Sequence, residues 1–237
     1  MMHLSERLRR VAENVLSAGV VADIGCDHGF TSIYLVQEKR AVAAIAMDVN
    51  EGPLERAKEH ILQYGMSDRI SLRLSDGLKK LLPGEADTIL MSGMGGALIA
   101  RILKEGKETL ALAKELVLSP QSEVFLVRRC VHELGFQIAS EEMLIEQGKY
   151  YVIIRAVPGA EVYKEEIDYL YGKKLMDRQD ETFFRFMQAE EARVDKVLQG
   201  FSNQGLSVSK EQRRKELWQE KARIQEVLNR MGIGRRF

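Results

Sequence analysis

The sequence predicts an α/β fold: a parallel sheet with helices on both faces, closed by an antiparallel hairpin and followed by a helical appendage. Three observations carry this. In the first two thirds of the chain, short apolar runs ending in Gly, Asp, Ser or Pro alternate with stretches of helical spacing. That is the pattern of parallel strands joined by crossover helices. After Gly135, two extended runs are joined only by Glu146-Gln147-Gly148-Lys149, a connection that permits nothing but an antiparallel turn. Beyond Pro158-Gly159 the residues shift to Glu, Lys, Arg and Gln with one apolar stripe per segment, which marks amphipathic helices.

The five parallel strands are read at 20–25 (VVADIG), 42–48 (VAAIAMD), 70–76 (ISLRLSD), 86–92 (ADTILMS) and 115–120 (ELVLSP). The near-continuous apolar character of the first two fits strands covered on both faces. Helices are expected at 30–38, 54–64, 98–112 and 123–134, preceded by an amphipathic helix at 4–16 with Ser5 as a candidate cap. The hairpin strands are read at 136–145 and 150–157. In the tail, helices are expected from 164 to about 198 and from 209 to 231, with stripes at Phe183, Phe186/Met187, Val194 and Val197/Leu198, then Leu217, Ile224, Leu228 and Met231. Residues 200–205 (GFSNQG) break the pattern so that the chain reverses into a coiled-coil-like hairpin. The expected domains are therefore 1–158 and 159–237.

Composition narrows the functional classes. With 45% hydrophobic and 30% charged residues over 237 positions, the chain holds a real core and is not a disordered polyelectrolyte. Thirty-five basic residues balance 35 acidic ones, which excludes a wholesale polycation but not a local basic face. Cys26 and Cys130 stand 104 residues apart with no CxxC partner, so neither a disulfide framework nor a cysteine zinc site is expected. His3, His60 and His132 have no partners at metal-ligand spacing, and no metal is expected. No apolar run reaches the ~18 residues of a membrane span, and MMHLSERLRR is not backed by a secretion-type apolar region. The expectation is a soluble protein of the cytoplasm.

The chemistry concentrates at strand ends. Asp23-Ile24-Gly25-Cys26-Asp27-His28-Gly29 follows the first strand and opens a helix, the context in which glycine spacing carries information. A pyrophosphate would be repelled by Asp27. A cationic, phosphate-free adenosyl ligand, S-adenosylmethionine, would be accepted there; a ligand-free tight turn is the alternative. Asp48 ends the second strand 23 residues after Gly25, with Val49 beside it. It either holds the hydroxyls of a ribose or caps the next helix, a task for which Asn50 or Glu51 is better suited. Asp76-Gly77 ends the third strand, offering an acceptor to an adenine amino group or forming a plain turn. Three acids at three successive carboxyl ends agree on an adenosine-bearing cofactor, since open sheets bind ligands at that edge. Ser92-Gly93-Met94-Gly95-Gly96 ends the fourth strand, where three glycines let backbone approach a reacting group. Ser119-Pro120-Gln121 leaves the fifth, shaping a substrate mouth or simply exiting the sheet.

Taken together, DIGCDHG, AMDVNEGPLERA, SDG, SGMGG and the Pro-Gln turn, with LSERLRRVAENV in front, resemble the bacterial tRNA (adenine-22-N1) methyltransferases, the TrmK family. The likeness runs from Leu4 to about Pro158 motif by motif, and in the tail only in its helical kind. It implies the class I S-adenosylmethionine-dependent methyltransferase fold, a Rossmann-like seven-stranded sheet, with S-adenosylmethionine as cofactor and tRNA as partner. One departure stands out: the family pattern expects Pro-Asn after the fifth strand, where this chain has Pro120-Gln121.

On this resemblance, Asp23, Gly25, Asp27, Asp48, Val49, Asp76, Gly77 and Gly93 would surround the cofactor, and Asp27, His28, Ser92 and Gly93 would position the target base. Arg7 is either a partner for the cofactor carboxylate or part of a solvated helix face. His28 either bonds the base as a neutral imidazole or packs beside the helix start. Gly95, Gly96, Pro120 and Gln121 would face the substrate, and Arg213, Arg214 and Lys215 its phosphates. From Lys210 onward nine Lys/Arg stand against four Glu, a balance suited to RNA or to a solvated helix. Trp218 either stacks on a base or plugs the hairpin against the domain. The competing readings are a methyltransferase of another substrate and a non-catalytic S-adenosylmethionine- or RNA-binding scaffold; Asp27 argues against a dehydrogenase.

Overall fold

The computed structural model describes residues 4–201 and 208–232; His3, residues 202–207 with most of the break expected from sequence, and Arg235 and Arg236 lie outside them. The chain divides into two compact units, Met1–Lys164 and Glu165–Phe237, so the first unit runs past the Pro158 boundary read from sequence.

The first unit alternates as its periodicity requires. Helix α1 (Glu6–Glu13) leads into β1 (Val20–Ile24), α2 (Phe30–Gln37), β2 (Ala43–Asp48), α3 (Glu51–Gln63) and β3 (Ile70–Leu74). There follow β4 (Thr88–Ser92), α4 (Gly96–Glu105), α5 (Lys107–Leu110), β5 (Glu115–Ser119), α6 (Val124–Glu133), β6 (Phe136–Glu146) and β7 (Lys149–Pro158). The sheet order is β3-β2-β1-β4-β5-β7-β6, parallel from β3 to β5 and antiparallel for β7 and β6. The order reverses beside β1, between β2 and β4, which puts a ligand crevice at their carboxyl ends.

Local chemistry sets the boundaries. Ser5 caps α1 by accepting from Leu8 N–H. The hairpin turns on Gln147 and Gly148, with φ of 51° and 76°, the two left-handed positions of a turn that matches strand twist. The single helix expected at 98–112 is split at Gly106, where a Cβ would stand 2.4 Å from Leu78. Helices cover the sheet on both sides. On one face Val11, Ala12 and Val15 of α1 and Leu35 of α2 pack with Val21, Leu90, Val117 and Ile153. Beside them on that same face Ile33, Leu54, Ala57 and Ile61 pack with Ala44, Ala46 and Ile70, the register setting Ala44 and Ile70 level with Val21.

In the second unit, a π-helical turn (Asp168–Gly172) and α7 (Lys173–Asp177) precede α8 (Glu181–Gln199) and α9 (Val208–Arg230). The continuous helix expected from 164 to about 198 is therefore corrected. Gln179 turns left-handed at φ 51°, and Asp180 accepts from Phe183 N–H at 2.9 Å to begin a new helix. Phe183, Met187 and Val194 on α8 and Leu217, Ile224 and Val227 on α9 are buried. Across that seam Lys221 meets Asp195 at 2.5 Å and Gln225 meets Glu191 at 3.0 Å, a register that runs antiparallel.

Arg128 on α6 and Glu141 on β6 form a fully buried pair at 2.7 Å. Breaking a buried ion pair from one side is strongly destabilising, so Glu141→Ala should cost about 3–5 kcal/mol of stability. Urea denaturation measures this; a loss below about 1 kcal/mol would show that Arg128 is compensated without Glu141.

Candidate active site

The site begins with the turn after β1. It passes through three left-handed residues, Gly25 (φ 74°), Asp27 (φ 49°) and Gly29 (φ 71°). Gly29 also lies so near α3 that a Cβ would sit 3.1 Å from Ala57. Backbone N–H groups of Gly25 and Cys26 both donate to the Met47 carbonyl, at 2.8 and 3.0 Å, tying the turn to β2. Beneath it Asp23 is buried and accepts from Ser32 Oγ at 2.7 Å. Burial pushes its carboxyl up to about 6, the Ser32 hydrogen bonds opposing this and the charge of Asp48 adding to it.

Asp48 closes the turn from the other side. Its Oδ2 accepts from Asp27 N–H at 3.3 Å and its Oδ1 from Asn50 N–H at 3.0 Å. The carboxylate is nearly buried, yet it belongs to the wall of the cavity. Asp27 points outward, with Arg56 and the His28 ring each 3.6 Å from its oxygens. Asp76, at the exit of β3, is paired with Lys79 at 2.5 Å and faces Arg101 at 3.8 Å. The Lys79 hydrogen bond holds its carboxyl below the ordinary range.

The fourth strand ends at Ser92, whose Oγ accepts from Arg7 Nη1 at 2.9 Å. Arg7 is fixed twice more: its backbone N–H donates to Glu146 at 2.9 Å, and its guanidinium lies 5.2 Å from the Tyr151 ring centroid. Gly93 follows at φ 85°, and its N–H donates to the Ser119 carbonyl at 3.2 Å. A Cβ on Gly93 would approach the Gln121 amide at 3.7 Å. These ends enclose a cavity of about 790 Å³ along the carboxyl edge of the sheet, within the ~300–1,000 Å³ span of small-molecule sites. Four carboxylates, Asp23, Asp27, Asp48 and Asp76, share its lining with Arg7 and Arg101. Ile24, Pro53, Met94, Leu98 and Ile102 make up much of its apolar part.

A methyltransferase-domain family model matches residues 4–154. A curated tRNA (adenine(22)-N(1))-methyltransferase of Bacillus subtilis is 39% identical over 158 residues, 67% of this chain and 66% of the relative, or about two thirds of that protein's own length. The solved structure of the B. subtilis m1A22 tRNA methyltransferase TrmK matches with a TM-score of 0.85 at 31% identity, covering 96% of this chain and 100% of that one. This chain belongs to the TrmK family. A putative tRNA (m1A22) methyltransferase of Streptococcus pneumoniae, Sp1610, solved in complex with S-adenosyl-L-methionine, matches with a TM-score of 0.85 at 31% identity over 95% of this chain and 100% of that one.

In this TrmK-family chain, Arg7, Asp23, Gly25, Asp27, His28, Asp48, Val49, Asp76, Gly77, Ser92, Gly93 and Gln121 all reach the cavity. Gly95, Gly96 and Pro120 do not line it. Gly95 precedes α4 as its cap, and a Cβ on Gly96 would strike the Glu123 carbonyl at 2.4 Å, so the structure gives these glycines a packing task. Arg213, Arg214 and Lys215 lie on α9 in the second unit. Sequence reading missed Arg56, Arg101, Ser75 and Asn50. Arg101 sits on the same α4 face as Leu98 and Ile102, a stripe visible as helical spacing, whereas the contact of Arg56 with Asp27 depends on tertiary placement. His28 stacks with Phe30 at 5.6 Å, and its backbone carbonyl meets His60 Nδ1 at 3.0 Å, the packed alternative read from sequence. Its own Nδ1 is buried and has no hydrogen-bond partner among the described residues.

The raised carboxyl of Asp23 has a definite pH signature. A folded value of about 6 against an ordinary 3.8 gives stability that is present below pH ~4 and lost as pH rises through ~6. Asp23→Asn keeps an acceptor for Ser32 but no titration. Relative to the variant, the wild type should therefore lose on the order of 2–3 kcal/mol between pH 4 and 7. Urea midpoints at both pH values test this, and a pH-independent difference would remove the shifted proton from Asp23.

Proposed function

We propose that this chain is an S-adenosylmethionine-dependent methyltransferase acting on N1 of adenine 22 in tRNA, in the bacterial cytoplasm. The observation that carries the reading is the cavity at the carboxyl edge of a TrmK-family sheet, because its donor set fits that cofactor. Asp48 offers a desolvated acceptor for ribose hydroxyls, Arg7 a fixed guanidinium for a carboxylate, Asp27 an anion for an ammonium group, and Asp76 an acceptor near the adenine amino group. Ile24, Pro53, Leu98 and Ile102 supply apolar cover for a purine. S-adenosylmethionine, when bound, supplies a methyl group carried on positively charged sulfur.

Adenine N1 holds an in-plane lone pair, so no residue has to remove a proton before it attacks. The work left to the chain is positioning and exclusion of water, which explains a site without a general-base dyad. Ser92, Gly93 and Gln121 form the rim where the base would enter. Their role is to present a close backbone and a polar acceptor to the N6 amino group while positive charge develops on the ring. Met94 and Leu98 shield that point from water. The target base must leave its stack to expose its Watson–Crick edge, at a cost of a few kcal/mol. Basic side chains of the second unit, Arg213, Arg214 and Lys215 among them, would offset part of that cost by binding phosphates. The second unit thus supplies RNA binding through its helical, coiled-coil-like hairpin.

Unmodified tRNA incubated with the protein and S-adenosylmethionine should yield N1-methyladenosine by nucleoside mass spectrometry, with a reverse-transcription stop at position 22. Methylation of a different atom or of no tRNA would reject the assignment. Asp48→Asn removes the one cavity carboxylate held by two backbone amides. Cofactor affinity should fall tenfold or more, the worth of about 1.5–3 kcal/mol for hydrogen bonds to a charged group. Calorimetry checks this, with circular dichroism as control for folding; undiminished affinity would take Asp48 out of the site.

A further inference from the structure

Trp218 is the single tryptophan of the chain. It does not fill the seam between α8 and α9. The residue is 56% exposed on α9, while Leu217, Ile224 and Val227 turn into the hairpin seam. A single exposed apolar side chain is ordinary at a protein surface; what sets this indole apart is the charge around it. The cations around it narrow the kind of partner.

Among the basic residues of α9, several are already engaged. Arg213 pairs with Glu216 at 3.3 Å, Lys221 with Asp195 at 2.5 Å, and Arg230 with Glu165, Asp168 and Glu226. Arg214 and Lys215 make no ion pair among the described residues. They stand four and three positions before Trp218, the spacings that share one helix face. Lys221 Nζ lies 5.6 Å from the centroid of the indole, covering one face of the ring with positive charge. An exposed indole flanked by two unneutralised cations matches one unstacked nucleotide: the free ring face takes the base, and Arg214 and Lys215 take phosphates.

We infer that Trp218, with Arg214 and Lys215, is a stacking site for an unpaired nucleobase of the tRNA. This rests on the proposed tRNA substrate and adds where on the second unit a loop nucleotide is gripped. Stacking is indifferent to base identity because every base has a π-face, so the site would contribute affinity and orientation rather than sequence choice. It touches no reacting atom, and its effect should appear in KM and not in kcat.

The lone indole makes the test direct. Full-length protein titrated with unmodified tRNA should show saturable quenching of tryptophan emission, at the concentrations where fluorescence anisotropy of labelled tRNA reports binding. Heparin, which offers anions but no bases, should bind without comparable quenching. Trp218→Ala should weaken tRNA binding roughly 5- to 160-fold, the range of one base–aromatic stack, with Trp218→Phe intermediate and kcat at saturating tRNA retained. Arg214→Gln with Lys215→Gln should flatten the dependence of affinity on salt. The inference is overturned if tRNA saturates the protein without quenching, if heparin quenches equally, or if Trp218→Ala binds and methylates like wild type. It is also overturned if that variant keeps its tRNA affinity but changes sedimentation, which would make the indole a protein–protein contact. Wild-type protein that neither binds nor methylates tRNA would instead defeat the proposed substrate itself, and the stacking site with it.

Discussion

One hydrogen bond under the first turn governs the geometry of everything above it. Asp23 ends the central strand with its carboxyl out of reach of water, and Ser32 on α2 supplies its side-chain partner. That bond locks the start of α2 against β1 and leaves the intervening residues to close in a tight, left-handed path. Because the turn is closed from below and its amides are tied to Met47 and Asp48, the Asp27 side chain is presented to the crevice at the carboxyl ends of the strands. The carboxyl edge of a parallel sheet is a ligand site only if its first loop is held still, and here the holding group is itself an acid displaced from its ordinary titration.

Three acids at three strand ends look alike in sequence and become different groups in the fold. Asp48 keeps a desolvated carboxylate, steadied by two backbone amides. Asp27 is exposed and shares its charge with Arg56 and the His28 ring, and Asp76 lies between Lys79 and Arg101. Spacing alone places an acid at an edge. Burial and neighbours decide how much of its charge a ligand meets, and these depend on helices that approach from elsewhere in the chain. The cationic partners were invisible for the same reason. Arg56 and Arg101 sit on helices whose apolar stripes were readable, but which way each guanidinium reaches is a tertiary fact.

The sheet was legible because strand–turn–helix alternation is written locally, and the four-residue connection after Glu142-Met143-Leu144-Ile145 leaves no other topology. Helix interruptions were less legible. Apolar spacing runs on past Gly106, but Leu78 from a distant segment occupies the place a Cβ would need. In the tail, Asp180 was the missed signal: an acid three residues before Phe183 in a run of good helix formers is a cap candidate. Likewise the amphipathic pattern gave Trp218 two faces to choose from, and only the packing of Leu217 and Ile224 settled which side faces the seam.

Helix α1 belongs to the beginning of the chain, yet it is fastened by its end. Arg10 Nε and Asn14 Nδ2 both reach Glu142 on β6, at 2.6 and 3.1 Å, and the backbone of Arg7 is tied to Glu146. A nascent polypeptide leaving the ribosome can therefore pack α1 on β1, α2 and β4 early, but these polar ties wait until the last two strands have been translated. An unfinished chain thus holds Arg7 by Ser92 alone, without Glu146 and the Tyr151 ring that complete its fastening.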